Sequence, residues 1–402
     1  KNFLSDWKLR AAYGEAGIQP ERYARQVTLG VQPLGTGVGL NLPIQASNPN
    51  LKVQRSKELE IGTDATISTG FQTWLTRITL SASWWSRKGE DIIQAANMAT
   101  SSGYESIIDN LSTLQSKGYD ITVDANVLEQ QNLTWQFGFR LGHAKTIVTH
   151  IANNADIING LFAVKEGQEL GIFYAPTPLH SLEQTRPNGT RYIADADKGK
   201  YELVNGMVTN KTTKQVQITD ANDQSVLGSA LPKFNASFIN TFNIYKHLTA
   251  SFQVDWYYGN KIYNLTRQWL YRDRLSKDYD DPVTINGETG AFVAYYNSLY
   301  NSVQPISWFV EDGSFVRLRD ASLTYNFTDV IKKPWAKNVS LTIAGRNLFT
   351  ITNYKGLDPE ATTTADSQGN ETTAAGQNRV GAVKGSDYFA VPNLKSFIIS
   401  VN

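Results

Sequence analysis

Residues 248–258 read LTASFQVDWYY, and apolar and polar side chains alternate along this stretch. Residues 133–142, LTWQFGFRLG, show the same two-residue period. Successive side chains of a β-strand point to opposite faces, so each stretch predicts a strand with one apolar and one polar face. Each apolar stripe has about five side chains, which suits the roughly ten residues that a tilted strand needs to cross a bilayer.

The same alternation recurs along the chain and predicts ten strands and one weaker hairpin. The strands are expected at 5–15, 56–69, 73–86, 117–128, 132–145, 233–244, 247–259, 314–328, 338–350 and 391–401, and the hairpin near 201–218. The apolar residues change phase between Leu318 and Leu323, which predicts a β-bulge near Arg319 and Asp320.

The connections between these strands alternate between short and long. Short ones are expected at 70–72, 129–131, 245–246 and 329–337, and long ones at 16–55, 87–116, 146–232, 260–313 and 351–390. Transmembrane barrels have short periplasmic turns and long extracellular loops. The order therefore predicts an all-β, antiparallel transmembrane β-barrel in the cell outer membrane.

Composition excludes several classes of function. The formal net charge of +1 gives no case for binding nucleic acid. The chain has no cysteine, which removes disulfides, zinc–thiolate sites and thiol catalysis. The mean hydropathy of −0.34 is compatible with membrane insertion, because a barrel strand is apolar only at every second position.

Charged residues of both signs fall on the polar faces of the predicted strands. A charge that faces lipid near the bilayer midplane costs several kcal/mol, so these residues are expected to face the barrel lumen or a plug inside it. The candidates are Arg10, Asp124, Arg140, Asp255, Arg317 and Arg346. Arg317 and Arg319 are expected either to anchor a plug through carboxylates or to stay exposed on the lumen wall.

No enzyme class has a convincing motif. None of the four histidines stands in a metalloprotease pair or a triad neighbourhood, and no phosphate-binding loop occurs. Asp278, Asp280 and Asp281 miss the spacing of a calcium-binding EF-hand and are interpreted as a solvated acidic loop. We therefore predict no catalytic residue, no cofactor and no metal site.

Aromatic residues concentrate in the long loops and at one strand end. Tyrosine and tryptophan rings stack on sugars and line peptide grooves at low entropic cost. The candidate substrate contacts are Tyr257, Tyr258, Tyr295, Tyr296, Trp308 and Phe309. The alternative is an interfacial aromatic belt together with a core formed by the loops. A short amphipathic helix is expected within 263–275, and Phe173 and Tyr174 are candidates to face a partner protein.

Several motifs occur in one particular order. They are WKLRAAYG at 7–14, NPNLK at 48–52, GYDI at 118–121, LPKF at 231–234, DGSFVRLRD at 312–320 and GRNLFT at 345–350, followed by DPE at 358–360. In this order they resemble the C-terminal barrel region of the SusC/RagA-type TonB-dependent transporters of Bacteroidetes outer membranes. The resemblance runs from about residue 5 to residue 402; the family usually closes with an aromatic residue, whereas the given sequence stops at Val401-Asn402.

The resemblance implies a fold and a function. Residues 1–402 are then the C-terminal half of a barrel of about 22 strands. The plug, the TonB box and the N-terminal strands then belong to a preceding segment. The implied activity is active import of a large nutrient, an oligosaccharide or a peptide, across the outer membrane. Outer-membrane lipid then surrounds the barrel. The implied partners are a SusD-like surface lipoprotein and the TonB–ExbB–ExbD complex, which acts on the plug.

Two alternatives share part of this pattern. A passive porin or an adhesin barrel has the same alternation and needs neither plug nor TonB. A soluble all-β carbohydrate-binding or hydrolytic protein shares the aromatic residues but has polar strand exteriors. The ten strands also leave two unpaired edges, which lipid does not tolerate, so the stretch is expected either to close as a small barrel or to be part of a larger one. The abrupt start of the sequence favours the larger barrel.

Overall fold

The computed structural model describes residues 3–152, 156–159, 161–300, 307–328, 331, 339–363 and 384–401. Most of the connection predicted at 329–337 and the middle of the one at 351–390 lie outside these residues. Among the helices in the described ranges, none is long and apolar enough to cross a membrane.

Within the described residues, ten strands form one continuous antiparallel ladder. They are β1 (Leu4–Ile18), β2 (Gln54–Ser68), β3 (Trp74–Asn97), β4 (Ser106–Gln130), β5 (Leu133–Ile151), β6 (Phe234–Ile244), β7 (Leu248–Tyr258), β8 (Phe315–Asn326), β9 (Ser340–Thr352) and β10 (Ser396–Val401). Each strand pairs with the next one along the chain, so the sheet is an up-and-down meander. All ten predicted strands are confirmed, and β1 and β10 form the two edges of this partial barrel.

The prediction of a long loop at 87–116 is wrong. β3 has 24 residues and β4 has 25, and only 98–105 connects them. At about 3.3 Å per residue and a tilt near 45°, such a strand rises roughly 55 Å, well beyond a hydrocarbon core of about 30 Å. This hairpin therefore continues far past the membrane on the side of the long loops.

The strand register separates polar from apolar residues into rows. One row of directly paired residues crosses β1 to β9 and is polar throughout: Lys8, Asp64, Ser81, Thr122, Arg140, Ser237, Asp255, Arg317 and Thr350. The adjacent row is apolar except for one threonine: Leu9, Thr63, Ala82, Ile121, Leu141, Ala236, Trp256, Val316 and Ile351. Adjacent residues of a strand point to opposite faces, so the sheet has one polar and one apolar face.

The apolar face is not part of a buried core. Phe252 and Trp256 are exposed on it, and Trp135 stacks on Phe242 with ring centroids 5.6 Å apart. Asn240 interrupts this face, and its Oδ1 accepts a hydrogen bond of 3.0 Å from Trp135 Nε1. These exposed rings contradict the soluble alternative, which required polar strand exteriors, and they suit contact with hydrocarbon.

The predicted bulge lies at Arg319. In the pairing with β7, Gln253 faces Asp320 and Val254 faces Leu318, so Arg319 has no partner. The pairing with β9 has an irregularity at the same place, between Leu318 and Asp320. Because both ladders are interrupted here, the Arg319 side chain joins Arg317 on the polar face and reaches Asp255.

The long loops fold into a layer of small sheets and short helices at one end of the ladder. Its strands are Gly30–Leu34, Gly37–Asn41, Gln45–Ala46, Ile157–Asn159, Phe162–Val164, Ile172–Ala175, Tyr201–Val204, Met207–Asn210, Ser225–Ser229, Lys261–Asn264, Val283–Ile285, Glu288–Gly290, Val310–Asp312 and Ser386–Asp387. Its α-helices are α1 (Leu265–Arg272) and α2 (Val293–Asn297), and its 3₁₀ helices are Thr100–Ser102, Asp195–Lys200, Lys277–Asp280 and Ser307–Phe309. The main buried hydrophobic cluster lies in this outer layer, built from residues between Leu161 and Phe309.

Candidate functional site

The charged residues predicted for the lumen share the polar face of the sheet. Arg10 lies 2.9 Å from the carboxylate of Asp64, and Arg140 donates a 2.8 Å hydrogen bond to Asp124. Both pairs are more than one-third exposed to solvent, so water screens each of them and neither is a strong contribution to stability. Arg346 is also exposed, and its Nε lies 3.5 Å from Asp320. These charges remain available to water and to a solute.

Arg317 is different, because it is buried beneath the segment 354–360. Its side chain is 3% exposed, and its guanidinium donates to Asp358 and to Glu360, the latter at 2.6 Å. Arg319 donates to both oxygens of Glu360 at 2.8 and 2.9 Å. The carboxylates that hold these two arginines therefore come from the chain itself. Arg317 lies on the polar face, as predicted, but the alternative that it stays exposed on the lumen wall is wrong, and a contact with a plug stays a prediction.

Asp358 joins this arginine cluster to the end of the chain. Its carboxylate accepts backbone N–H bonds from Glu360 at 2.9 Å and from Asn393 at 2.8 Å. Burial by itself raises the pKa of Asp358, but the hydrogen bonds from Arg317 and from these backbone groups hold that pKa below its usual range. The segment 354–360 is thus fixed on the polar face next to Asp255 and Arg319.

Three of the aromatic residues predicted to bind substrate are packed inside the outer layer. Tyr295, Tyr296 and Phe309 are 1%, 6% and 0% exposed, so their rings have no surface to offer a ligand. Burial raises the pKa of Tyr296 to about 12, as expected for a phenol inside a packed core. The alternative of a loop core describes these three residues correctly. Phe173, predicted to face a partner, is also fully buried.

The other three aromatic candidates divide between the two faces and the layer. Tyr258 lies on the apolar face and stacks on Phe234 at 5.3 Å, which is typical of an interfacial belt. Tyr257 lies on the polar face, half-buried against Phe315 at 4.9 Å. Trp308 is half-buried in the outer layer and remains partly accessible. Tyr257 and Trp308 are thus the two of the six that are half-buried rather than buried in the loop core or exposed on the apolar face.

Helix α1, predicted within 263–275, is confirmed and holds a buried ion cluster. Asn264 caps its first turn, accepting from the backbone N–H of Arg267 at 2.9 Å. The buried Arg267 guanidinium donates to Asp278 and, at 3.0 Å, to Glu311. Tyr271 donates to the same Asp278 carboxylate at 2.6 Å.

The Arg267 cluster corrects the interpretation of Asp278 as part of a solvated acidic loop. Burial alone raises the pKa of Asp278, but the hydrogen bonds from Tyr271 and Arg267 outweigh burial and hold it below its usual range. Burial also raises the pKa of Tyr271 far above that of a free phenol. The Asp278 carboxylate therefore stays ionised at neutral pH and remains bonded to Arg267 and Tyr271. We call this bonded group the floor, because a cavity lies above it.

A cavity of about 500 Å³ opens above this floor. Its walls come from α1, from 275–278, from 355–357 and from 387–392. Sequence reasoning missed it, because its two halves lie about a hundred residues apart and neither half has a motif of its own. Only the predicted helix within 263–275 marked part of its wall.

Comparison with known proteins decides the family. The family described as "TonB dependent receptor-like, beta-barrel" matches residues 2–348. The chain belongs to this TonB-dependent receptor β-barrel family. The segment is thus part of an outer-membrane β-barrel.

Named relatives agree with this family. TonB-dependent receptor P3 of Formosa agariphila is 28% identical and matches all of this chain but 40% of its own length. TonB-dependent receptor SusC of Bacteroides thetaiotaomicron is 23% identical over 89% of this chain and 36% of that protein. The TonB-dependent receptor segment described here therefore spans about 40% of the curated relatives that it matches.

Solved structures show the same fold. The structure of the RagAB peptide importer in the closed-closed state superposes with a TM-score of 0.71 at 18% identity, and covers all of this chain and 41% of that chain. A second structure of the RagAB peptide transporter gives a TM-score of 0.70 at 17% identity. At this level of identity the likeness concerns the fold of the TonB-dependent barrel segment.

Proposed function

We propose that this chain forms the C-terminal half of an active importer of a large nutrient, an oligosaccharide or a peptide, across the outer membrane. The plug and the N-terminal strands then belong to another part of the full transporter. No bond is made or broken in this activity. The polar face of the sheet lines the passage, and the loop layer forms its outer mouth.

The observation that carries this proposal is the unbroken polar row from Lys8 to Thr350. Its side chains bear both charges, and the pair between Arg140 of this row and the neighbouring Asp124 is more than one-third exposed to solvent. An apolar row lies directly beside it on the opposite face. A wall with one wet and one apolar face suits an aqueous path through lipid, and a passage wide enough for a large solute needs many such strands.

The family and its relatives support the partners that we propose. The relatives are named TonB-dependent receptors, so we infer that inner-membrane TonB, with ExbB and ExbD, supplies energy through the plug. The long loops form a packed layer on one side of the ladder, and we infer that a SusD-like lipoprotein closes over that side. We further propose that Arg10, Asp124, Arg140, Asp255 and Arg346 face the passage, with Tyr257 and Trp308 near its mouth.

Uptake by whole cells tests the import function. A strain that lacks the full transporter, the complemented strain and a strain that lacks TonB are fed a mixed pool of oligosaccharides and peptides. We expect the complemented strain to deplete one class from the medium, and both deletion strains to leave it. Depletion that continues without TonB indicates a passive porin and contradicts the proposal. No difference between deleted and complemented strains also contradicts it.

Cysteine labelling tests which face is wet. The chain has no cysteine, so single replacements in it give a clean signal over the unsubstituted transporter. Thr122→Cys lies in the polar row and Ile121→Cys, its neighbour on β4, lies in the apolar row. In vesicles, a water-soluble maleimide is expected to label the first and not the second. Equal labelling of both, or labelling of Ile121→Cys alone, contradicts a water-filled passage on this face.

A further inference from the structure

The rim of the cavity beside α1 is apolar and exposed. Leu275, Leu357 and Phe389 line it and are 71%, 79% and 57% exposed. Val391 and Leu270 complete the rim. The volume of about 500 Å³ lies within the range of roughly 300–1,000 Å³ that is usual for ligand pockets. Large apolar side chains gathered around one opening, rather than scattered singly, mark a binding surface.

The polar groups on the floor of the cavity already bond to one another. Thr266 Oγ1 donates to Asp387 at 3.0 Å and accepts from the backbone N–H of Phe389 at 2.7 Å. Asp278 accepts from Arg267 and Tyr271, and Asp387 also accepts from the Tyr354 hydroxyl at 2.6 Å. A sugar ring needs placed polar partners for its hydroxyls. This floor is committed to intrachain bonds, so an oligosaccharide gains little here.

Two lysines at the cavity provide its accessible positive charge. Lys277 and Lys355 both line it and both side chains are exposed. Neither ammonium group forms a salt bridge with another of the residues that the structure describes. The Lys355 ammonium lies 5.6 Å from the centroid of the Trp308 ring, a cation–π contact, and both lysine charges can still attract a carboxylate that enters beside the apolar rim.

We propose that this cavity receives an apolar side chain of an extended peptide, with Lys277 and Lys355 attracting a carboxylate next to that side chain. The inference rests on the proposed import function and narrows its substrate class to peptides. An aliphatic side chain fills the cavity and is removed from water by the leucines of its rim. The fixed Arg267–Asp278 floor keeps the cavity open, because both charges are already bonded.

Binding of designed peptides to the full transporter in detergent tests this inference. The probe is the fluorescein-labelled peptide Gly-Ser-Gly-Leu-Asp-Gly-Ser-Gly, and its matched control has serine in place of leucine. Fluorescence anisotropy gives the affinity of each. Burying part of a leucine side chain favours binding, so we expect the leucine peptide to bind about five- to tenfold more tightly.

Variants of the rim residues test whether the cavity is the source of the preference for the leucine peptide. Leu357→Ser and Leu275→Ser are each expected to abolish most of the difference between the two peptides. Leu203→Ser is the matched control, because Leu203 is also exposed but lies on the outer strand Tyr201–Val204, away from the cavity. All three residues are largely solvent-exposed, so their replacement leaves folding intact. Lys355→Gln is expected to weaken the Leu-Asp peptide more than a Leu-Asn peptide.

Two results overturn the inference. One is a leucine preference that is unchanged in Leu357→Ser and Leu275→Ser. The other is tight binding of maltoheptaose that these same two variants abolish. Uptake separates this failure from that of the proposed function. A transporter that still imports peptides in a TonB-dependent way, with KM unchanged by Leu357→Ser, keeps its function and loses this site. A transporter that imports neither peptides nor oligosaccharides contradicts both the proposed function and this site.

Discussion

Replacing Arg317 by methionine tests whether the buried arginine cluster fixes the segment 354–360. The guanidinium of Arg317 bonds to Asp358, Glu360 and, at 2.9 Å, Thr350 Oγ1. Methionine keeps most of the side-chain length and removes the charge. Glu360 keeps Arg319 as a partner, but Asp358 loses its only side-chain cation among the described residues.

The expected cost follows from the burial of Asp358. Breaking a buried ion pair by removing one partner typically costs about 3–5 kcal/mol. Asp358 keeps the backbone N–H bonds of Glu360 and Asn393, so we expect the low end, about 3 kcal/mol. That cost corresponds to roughly a hundredfold increase in the local opening constant of the segment.

Hydrogen exchange of the full transporter in detergent measures this opening. Peptides that cover 358–363 and 391–395 are expected to exchange roughly a hundredfold faster in Arg317→Met, while those from β5 are unchanged. Arg346→Met is the matched control, because Arg346 is 64% exposed and its contact with Asp320 is worth at most about 1 kcal/mol. Equal exchange in both variants refutes the reasoning.

Three further predictions concern other parts of the chain. A Cβ added at Gly356 would lie 2.3 Å from the Tyr354 ring, and a hydrogen bond to Asp387 holds that ring in place. Gly356→Ala is therefore expected to distort the cavity wall. It should weaken binding of the leucine peptide in the anisotropy assay without unfolding the barrel. Asn240→Leu leaves the Trp135 N–H without this acceptor and is expected to lower the free energy of unfolding by about 1–3 kcal/mol, measured by guanidinium unfolding from vesicles. Adding Trp135→Phe is expected to recover most of that loss. If the costs of the two substitutions are additive, the hydrogen bond does not stabilise the strand pair. The lowered pKa of Asp278 means that its ionised form stabilises the folded outer layer above the ordinary aspartate pKa near 3.9, and that this stabilisation is lost as pH falls through the lower folded value. Near-ultraviolet circular dichroism of the tyrosines is therefore expected to change with acid in the parent protein and much less in Asp278→Asn, and identical profiles contradict the assignment.

The strands were predictable because each crosses a boundary between water and lipid. Along β7, one face must be apolar and the other polar, so apolar and polar residues alternate with a period of two over residues 248–258. The bulge was predictable for the same reason, because the phase of that period changes between Leu318 and Leu323. The upper parts of β3 and β4 were not, because above the membrane their faces no longer separate water from lipid, and residues of mixed polarity such as Gln94, Ile108 and Leu111 are buried there. The register there is irregular near Gly89 and Ile92, so the period is lost.

The outer layer could not be predicted from local pattern. Tyr295 and Phe309 look like exposed loop aromatics, but they pack with residues such as Phe173, more than a hundred positions earlier. The partner of Asp278 was likewise invisible, since nothing in 278–281 indicates that Arg267 lies against it. Loop length was the one available signal, because connections as long as 146–232 and 260–313 contain enough residues to bury a core of their own.

The nearest-neighbour order of the ladder has a consequence for biogenesis. The ten ladder strands pair in chain order, and β4 alone among them has a further partner in the described residues, the short strand Gln45–Ala46. The sheet can therefore grow strand by strand from one exposed edge. The outer layer contains pairs between strands that are far apart in sequence. Its strand Lys261–Asn264 pairs with Ser386–Asp387, which lie just before the last strand. The mouth of the barrel is therefore completed only when residues 386–387 are in place, shortly before the last strand β10, so a folding transporter passes through a stage in which β1 to β9 are paired and the rim is still unsealed.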